Sequence, residues 1–427
     1  MKKALQILQI LAYVFLILSA CKAPQKATTV QPTQPTSKTQ NKSLLVKTSG
    51  TVTTATDEDA YFEKILKSNS ALYRRMVADK NTSNIQIIFT EIKTTATKPI
   101  FTDHFFNKGN LKYFYPASAI KLPLVLLTLQ KIREIGNAEI TLNTTMITGS
   151  DRNGQAAVYN DPNTPNGKPT LGQYIKKALL VNDNDACNRL YEFLGQDYIN
   201  TQLISFGYAS AEILHRIGIE LTTEENKHTN PIYFYDSAGK LIYTQKSAYA
   251  TKKHNARKDF EGKGYFRNSK FVNEPMNMSE KNRISLIDLH RMMMSLHFKE
   301  AGKQFNIDET DRQFVLNLLA MLPSKSQYPY YAPEYDGYTK YLYFGGEIAV
   351  LPSSILSYNT SGVAYGQMTD VAYLYDKDNK RSFFVSATIY CNKDNILNDD
   401  KYDYETTGLP FFKNLGKALY QYVNQSK

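Results

Sequence analysis

Apolar positions fall into stretches of different period along the chain. Tyr61-Phe62, Ile65-Leu66, Leu72-Tyr73 and Met76-Val77 recur at intervals of three and four, which predicts an amphipathic helix from Asp57 to near Asp79. A strand is expected from Asn84 to Ile92. Leu122 to Leu129 is an apolar run without a polar face, so it predicts a buried second helix, entered through Pro116-Ala117-Ser118. A third helix is expected from Asp185 to Leu194, stopped by Gly195. Toward the C-terminus the period changes to strands, Thr369 to Tyr375 and Ser382 to Tyr390, joined by Asp376-Lys377-Asp378-Asn379-Lys380, before a closing helix from Phe411 to about Val423. Helix, strand, helices, strands, helix is an α+β order, with no internal repeat. The basic stretch Pro231 to Asn277, with a hairpin around Asp236-Ser237-Ala238-Gly239, reads as an insertion into the helical part.

The first residues follow another pattern. Lys2 and Lys3 precede the apolar run Ile7 to Leu18, which is too short and too close to the terminus for a settled transmembrane helix and reads as an export signal over residues 1–20. The run ends in Leu18-Ser19-Ala20-Cys21, which resembles the bacterial lipoprotein box. That resemblance implies that Cys21 is acylated, becomes the mature N-terminus and anchors the chain in the bacterial cell envelope, on the periplasmic or outside face. Residues 21–56 turn to Thr, Pro, Gln, Ser and Lys without a single acid, too few hydrophobic groups to offset the entropy of ordering, so they read as a tether ahead of one domain spanning 57–427.

Composition narrows the classes. With 427 residues, 42% of them hydrophobic, the chain can bury a large core. Its net charge of +11 is spread out and forms no arginine-rich block, so nucleic acid is not an expected partner. The six histidines lack metal-ligand spacing and Cys21, Cys187 and Cys391 make no C-x-x-C pair, so no metal, cofactor or dense disulfide framework is expected. Cys187 and Cys391 are expected as two buried thiols, and His215 and His228 as structural residues. A monomer is the expected state.

The candidate chemistry lies in Tyr115-Pro116-Ala117-Ser118-Ala119-Ile120-Lys121. It puts a serine at a helix start and a lysine three residues on, on the same helix face. A lysine held among apolar side chains loses pKa by desolvation and can take the serine proton, and the Ser118 amide at the helix start is a donor for an oxyanion. Ser19 to Lys22 and Ser237 to Lys240 have the same spacing, but neither opens an apolar helix.

At these residues the chain resembles the penicillin-recognising serine hydrolases, most closely the class A β-lactamase-like family, whose motifs run S-x-x-K, S-D-N, K-T-G or K-S-G. The second motif falls on Asn182-Asp183-Asn184 and the third on Thr360-Ser361-Gly362, with Thr369-Asp370-Val371-Ala372 behind it as the usual sequel. Lys47-Thr48-Ser49-Gly50 precedes the nucleophile and is out of order. The resemblance implies a β-lactamase/transpeptidase-like fold, an antiparallel sheet flanked by helices plus an all-helical part carrying Ser118. It implies an acyl-serine hydrolase acting on β-lactams, with a slow penicillin-binding protein or D-Ala-D-Ala peptidase, or a non-catalytic cell-wall-binding lipoprotein, as the alternatives. The partner is then a β-lactam or a peptidoglycan stem peptide. It assigns Ser118, Lys121 and Asn182 to catalysis, Asn184, Thr360, Ser361, Gly362 and Val363 to substrate binding, and the Ser118 and Val363 amides to the oxyanion.

Two motif positions depart from the family. Asn182 stands where its proton-relaying serine is expected and Thr360 where its carboxylate-attracting lysine is expected, with Lys340 as another lysine able to supply that charge. Arg216-Ile217-Gly218-Ile219-Glu220-Leu221-Thr222 looks like the loop that carries the family's deacylating glutamate, with Gly218 in its place and Glu220, Glu224 or Glu225 near it in sequence.

Overall fold

The computed structural model describes residues 53–54, 58–94, 98–108, 112–152, 155–332, 336–347 and 350–425. The expected signal, Cys21, most of the tether and the out-of-order Lys47–Gly50 lie outside the described residues.

Inside the expected tether, β1 (Thr53–Thr54) pairs parallel with Thr102 and Asp103. The apolar period that follows is carried by two helices and not by one, α1 (Glu58–Ile65) and α2 (Ser70–Asp79). They meet at a 3-10 turn, Lys67–Asn69, where the Asn69 side chain accepts the Leu72 amide and starts α2. The three-and-four spacing hid this break because Phe62, Ile65, Leu66, Leu72 and Met76 still reach one core. β2 (Gln86–Thr94) and β3 (Pro99–Phe106) then form an antiparallel pair.

The helical body begins with α3 (Lys121–Ile135), in which every residue from Lys121 to Gln130 is buried. Its apolar surface runs all round, as a helix at the centre of a core requires. Pro123 is tolerated because it sits in the first turn, where amides have no helical partner, and Gly136 ends the helix in the left-handed region at φ 69. β4 (Thr145–Thr148), α4 (Leu171–Leu180), α5 (Asn184–Leu194), α6 (Gln196–Ser205) and α7 (Thr223–Lys227) follow. The expected hairpin is present as β5 (Ile232–Tyr235) and β6 (Leu241–Gln245), turning through Asp236–Lys240. It is joined to β4 in a three-stranded sheet, so the 231–277 stretch is knitted in and does not hang from the helices. The stretch goes on through β7 (Phe260–Glu261), β8 (Gly264–Arg267), β9 (Lys270–Val272) and β10 (Met276–Asn277) to α8 (Leu286–His297) and α9 (Glu309–Ala320).

The chain closes with β11 (Ile355–Ala364), β12 (Gln367–Asp376), β13 (Arg381–Tyr390), β14 (Ile396–Leu397) and α10 (Leu409–Gln425). β14 pairs with β8, which ties the inserted stretch to the C-terminal part. The main sheet runs β1-β3-β2-β13-β12-β11, antiparallel but for β1, and β11 is its last strand. Alternation along β13 sends Phe383, Val385, Ala387 and Ile389 toward α1, α2 and α10, and Phe384 toward the helical body. Cys187 and Cys391 are both buried free thiols. This is an α+β architecture with the edge strand β11 standing beside the start of α3.

Candidate active site

Ser118 stands in a 3-10 turn, Ala117–Ile120, that feeds straight into α3. Ala117, just before it, adopts φ 46, a region sparsely used by residues with a Cβ and held only where the surroundings impose it. Tyr115, Ala117 and Met278 pack together there and hold the bend, while Ser118 stays half-buried. Lys121 follows on the same face and is 1% exposed.

The partners of Lys121 come from the turn before α5. Asp183 caps α5 by accepting the Ala186 amide at 2.8 Å, and Asn182 ahead of it takes φ 56, a conformation that asparagine tolerates better than most residues. That turn aims the Asn182 carbonyl and the Asn184 side chain at the lysine. Lys121 Nζ donates to Ser118 Oγ at 2.8 Å, to Asn184 Oδ1 at 2.8 Å and to the Asn182 carbonyl. Burial pulls its pKa down to about 8, an effect only partly offset by the Cys187 and Asp183 side chains. The arrangement therefore holds an ammonium that gives up its proton readily, 2.8 Å from a hydroxyl.

The other wall is the edge strand. Tyr365 (φ 53) and Gly366 (φ 78) form the two-residue turn between β11 and β12, and the flanking pair Ala364 and Gln367 is the hydrogen-bonded one in such a turn. Alternation then turns the backbone groups of Val363 and Ser361 away from β12, toward the free edge. Asn182 reaches that edge, its side-chain amide donating to Ser361 O and Oγ, both at 3.4 Å, while Ser361 Oγ donates to the Thr339 carbonyl at 2.8 Å. Gly362 is required by close approach: a Cβ there would lie 2.3 Å from Pro116 O and 2.9 Å from Ser118 N. The Ser118 amide thus lies against Gly362, the residue before Val363.

Thr360 is buried, sits opposite Val371 and projects from the other face of β11 than Ser361. Lys340 is 3% exposed and donates to the carbonyls of Leu319 (3.0 Å) and Ser357 (2.8 Å) and to Asn359 Oδ1 (3.0 Å), so its bonds go to α9 and β11 and none to Ser118, Asn182 or Ser361.

The 216–222 segment passes Asn184. Arg216 anchors it through Glu192 at 2.9 Å and the His228 carbonyl at 2.7 Å. Gly218 has φ 68, and a Cβ on it would come 2.5 Å from Asn184 Nδ2, so no side chain fits there without moving the asparagine. Glu220 is exposed. Glu224 is exposed and turned to Lys227 (3.4 Å) and Tyr249 (3.3 Å), and Glu225 is spent in a capping box with Thr222. None of these glutamates is bonded to Ser118, Lys121 or Asn184.

Sequence reading missed the rim. His215 donates from Nδ1 to the Arg216 carbonyl and faces Tyr115 OH at 3.5 Å; burial first, then Lys281, hold its pKa down to about 4. Tyr365 meets Tyr115 edge-on at 5.1 Å, and Met276 and Met278 pack beside them. Tyr115 and Tyr365 flank the motifs, three residues before Ser118 and three after Gly362, and that adjacency is their sequence signal. Met278 and Lys281 carried no sequence signal, because only the folding back of the inserted stretch brings them here.

A family model described as the beta-lactamase enzyme family matches residues 69–423. No curated protein sequence matches. Among solved structures, a beta-lactamase from Sphaerobacter thermophilus DSM 20745 is 12% identical, covers 84% of this chain and 96% of its own, and overlays with a TM-score of 0.45. PBP-A is 11% identical over 88% of this chain and 98% of its own, with a TM-score of 0.47. The TLA-1 S70G extended spectrum beta-lactamase is 11% identical over 84% and 99%, with a TM-score of 0.48.

Proposed function

We propose, from the premise that the chain belongs to the beta-lactamase enzyme family, that it is an envelope acyl-serine hydrolase whose Ser118 is acylated slowly and deacylated more slowly still. The reading rests above all on one observation: a buried lysine with its pKa near 8 lies 2.8 Å from the hydroxyl of a half-exposed serine. In this reading neutral Lys121 takes the Ser118 proton as Oγ attacks the carbonyl carbon of a β-lactam or of a D-Ala-D-Ala peptide. The oxyanion is received by the Ser118 and Val363 amides. Asn184 holds Lys121 through its Oδ1, while its amide nitrogen lies against Gly218. The leaving nitrogen then needs the proton that Lys121 holds. Asn182 can donate a hydrogen bond but cannot shuttle a proton as a hydroxyl would, so this transfer is the slow part of acylation.

Gly218 favours the slow, penicillin-binding reading over fast β-lactam hydrolysis. Its place against Asn184 leaves no room for a carboxylate, and Glu220, Glu224 and Glu225 are turned elsewhere, so the water that must cleave the acyl ester lacks its base. Thr360 adds no charge for the substrate carboxylate. Incubation of the purified protein with benzylpenicillin, followed by mass spectrometry, should give a single adduct on the peptide containing Ser118 that persists for many minutes. An adduct retained in Ser118→Ala, or ordinary enzymatic hydrolysis of nitrocefin with no adduct, overturns the reading.

The lipoprotein-type box at Cys21 and the tether extend the proposal to an acylated, membrane-anchored protein with its domain carried clear of the lipid. Replacing Cys21 with Ser and fractionating cells should move the protein out of the membrane fraction; a variant that stays there as firmly as the parent rules out this anchor.

A further inference from the structure

Lys281 sits in a place that the chemistry above leaves unused. It follows β10, at the return of the inserted stretch, and its backbone is held at both ends: its amide donates to Met278 O at 2.9 Å and its carbonyl accepts from Arg257 Nη2 at 2.6 Å. Arg257 is in turn locked by Glu212 at 3.1 Å and Asp259 at 3.3 Å. The half-buried side chain crosses the face of Tyr365, with Nζ 5.8 Å from the ring centroid, and it is close enough to His215 to help keep that ring neutral. Among the described residues no carboxylate pairs with it. A cation kept partly out of water on Tyr365, whose ring packs against the Tyr115, Ala117 and Met278 cluster, without a counter-ion, is set to receive one.

Direction along the edge strand says which end of the substrate that is. Asn182, at the position for handling the leaving nitrogen, lies against Ser361. The oxyanion donors are at Ser118 and Val363. A substrate laid along the free edge therefore has its leaving half near Ser361 and its acyl half beyond Val363, at Ala364 and Tyr365, where Lys281 stands. We propose that Lys281, backed by Tyr365, is a specificity-determining residue that pairs with a carboxylate on the acyl side chain of the substrate. The preferred substrates are then peptides whose residue on the acyl side of the scissile bond carries a free carboxylate, and β-lactams with an acidic acyl substituent. This inference rests on the acyl-serine reading for the orientation of the substrate.

The test uses benzylpenicillin and carbenicillin, which differ by one carboxylate on the acyl side chain. Binding to the full-length Ser118→Ala protein, measured by calorimetry, reads recognition without chemistry. Carbenicillin is expected to bind about 10-fold more tightly than benzylpenicillin, in line with a charge-assisted contact that is partly screened by solvent. Adding Lys281→Met, which keeps the stem packed on Tyr365, should bring the ratio close to one, and Lys281→Arg should restore it. A ratio of one or less in Ser118→Ala, or a preference that survives Lys281→Met, overturns the proposal; the second outcome would assign the preference to the overall positive charge. Acylation of the wild type is scored separately. If neither compound forms an adduct while the Lys281-dependent preference holds, the hydrolase reading falls and the recognition site stands.

Discussion

Lys121 and Lys340 are in the same physical state and have different neighbours. Both are buried, both make three hydrogen bonds to oxygen, and burial brings the pKa of each down to about 8. Lys121 shares its ammonium with the hydroxyl of a half-exposed serine beside a free strand edge. Lys340 gives all three of its bonds to two carbonyls and to an asparagine that is itself tied to Asp370 at 2.9 Å. The lesson is that a perturbed pKa marks a lysine as buried, and that only a reactive neighbour with access to solvent makes it a base.

The sharpest test of that contrast is removal of each ammonium. Lys121→Met should lower the rate of Ser118 acylation by about 10²- to 10⁴-fold, the usual effect of losing a positioned base, as followed by adduct mass against time. Lys340→Met should leave acylation per folded molecule within about threefold and lower stability by about 3 kcal/mol, since it strands buried acceptors, as read by denaturant unfolding. Equal effects of the two changes on acylation would erase the distinction.

Proton linkage gives the next expectation. A lysine pKa lowered on folding from 10.5 to about 8 means that the unfolded chain binds more protons between those values, so stability contributed by each lysine rises with pH from about 8 to 10.5 and is flat below. The pH slope of unfolding in that window should therefore be smaller in Lys340→Met than in the wild type. Acylation should rise through about pH 8 and level off, and this profile should be the same in both proteins. A profile that shifts with Lys340 would place that residue in the site.

Smaller effects come from the neighbours of Lys121. Gly218→Ala puts a methyl at 2.5 Å from Asn184 Nδ2 and at φ 68, so it should cost about 1 to 2 kcal/mol and slow acylation about 10-fold by displacing Asn184. Asn182→Ser should act the other way, raising acylation several-fold, about 5-fold, by restoring a hydroxyl relay; the gain is limited because φ 56 suits serine less well than asparagine. No gain, with folding intact, would show that protonation of the leaving nitrogen does not pass through position 182.

Much of this was legible in the residues themselves. The apolar run Leu122–Leu129 marks a central helix because burial on all sides needs no polar face, and Ser118 and Lys121 stand together because three residues is nearly one helical turn. Gly195 ends α5 and the Asp376–Lys380 turn joins β12 to β13 for equally local reasons. The same locality explains the miss at Lys67–Asn69, where a cap interrupted a helix without interrupting its apolar spacing. The flanks Tyr115 and Tyr365 belong to the motifs, yet nothing in their spacing says that their rings meet.

Tertiary structure alone decided what long-range contact decides. The Lys121 pKa is pulled down to about 8 because the turn at Asn182 and the first turn of α5 close over it; Lys340 spends its three bonds on the Leu319 carbonyl of α9 and on Ser357 and Asn359 of β11; and the inserted stretch sets Lys281 on Tyr365 because β8 pairs with β14 and Arg257 pins the return. Residue order encodes periods, caps and turns because these depend on neighbours a few positions apart. Which charge is buried, paired or left to meet a substrate depends on distances between segments, and those exist only once the chain has packed.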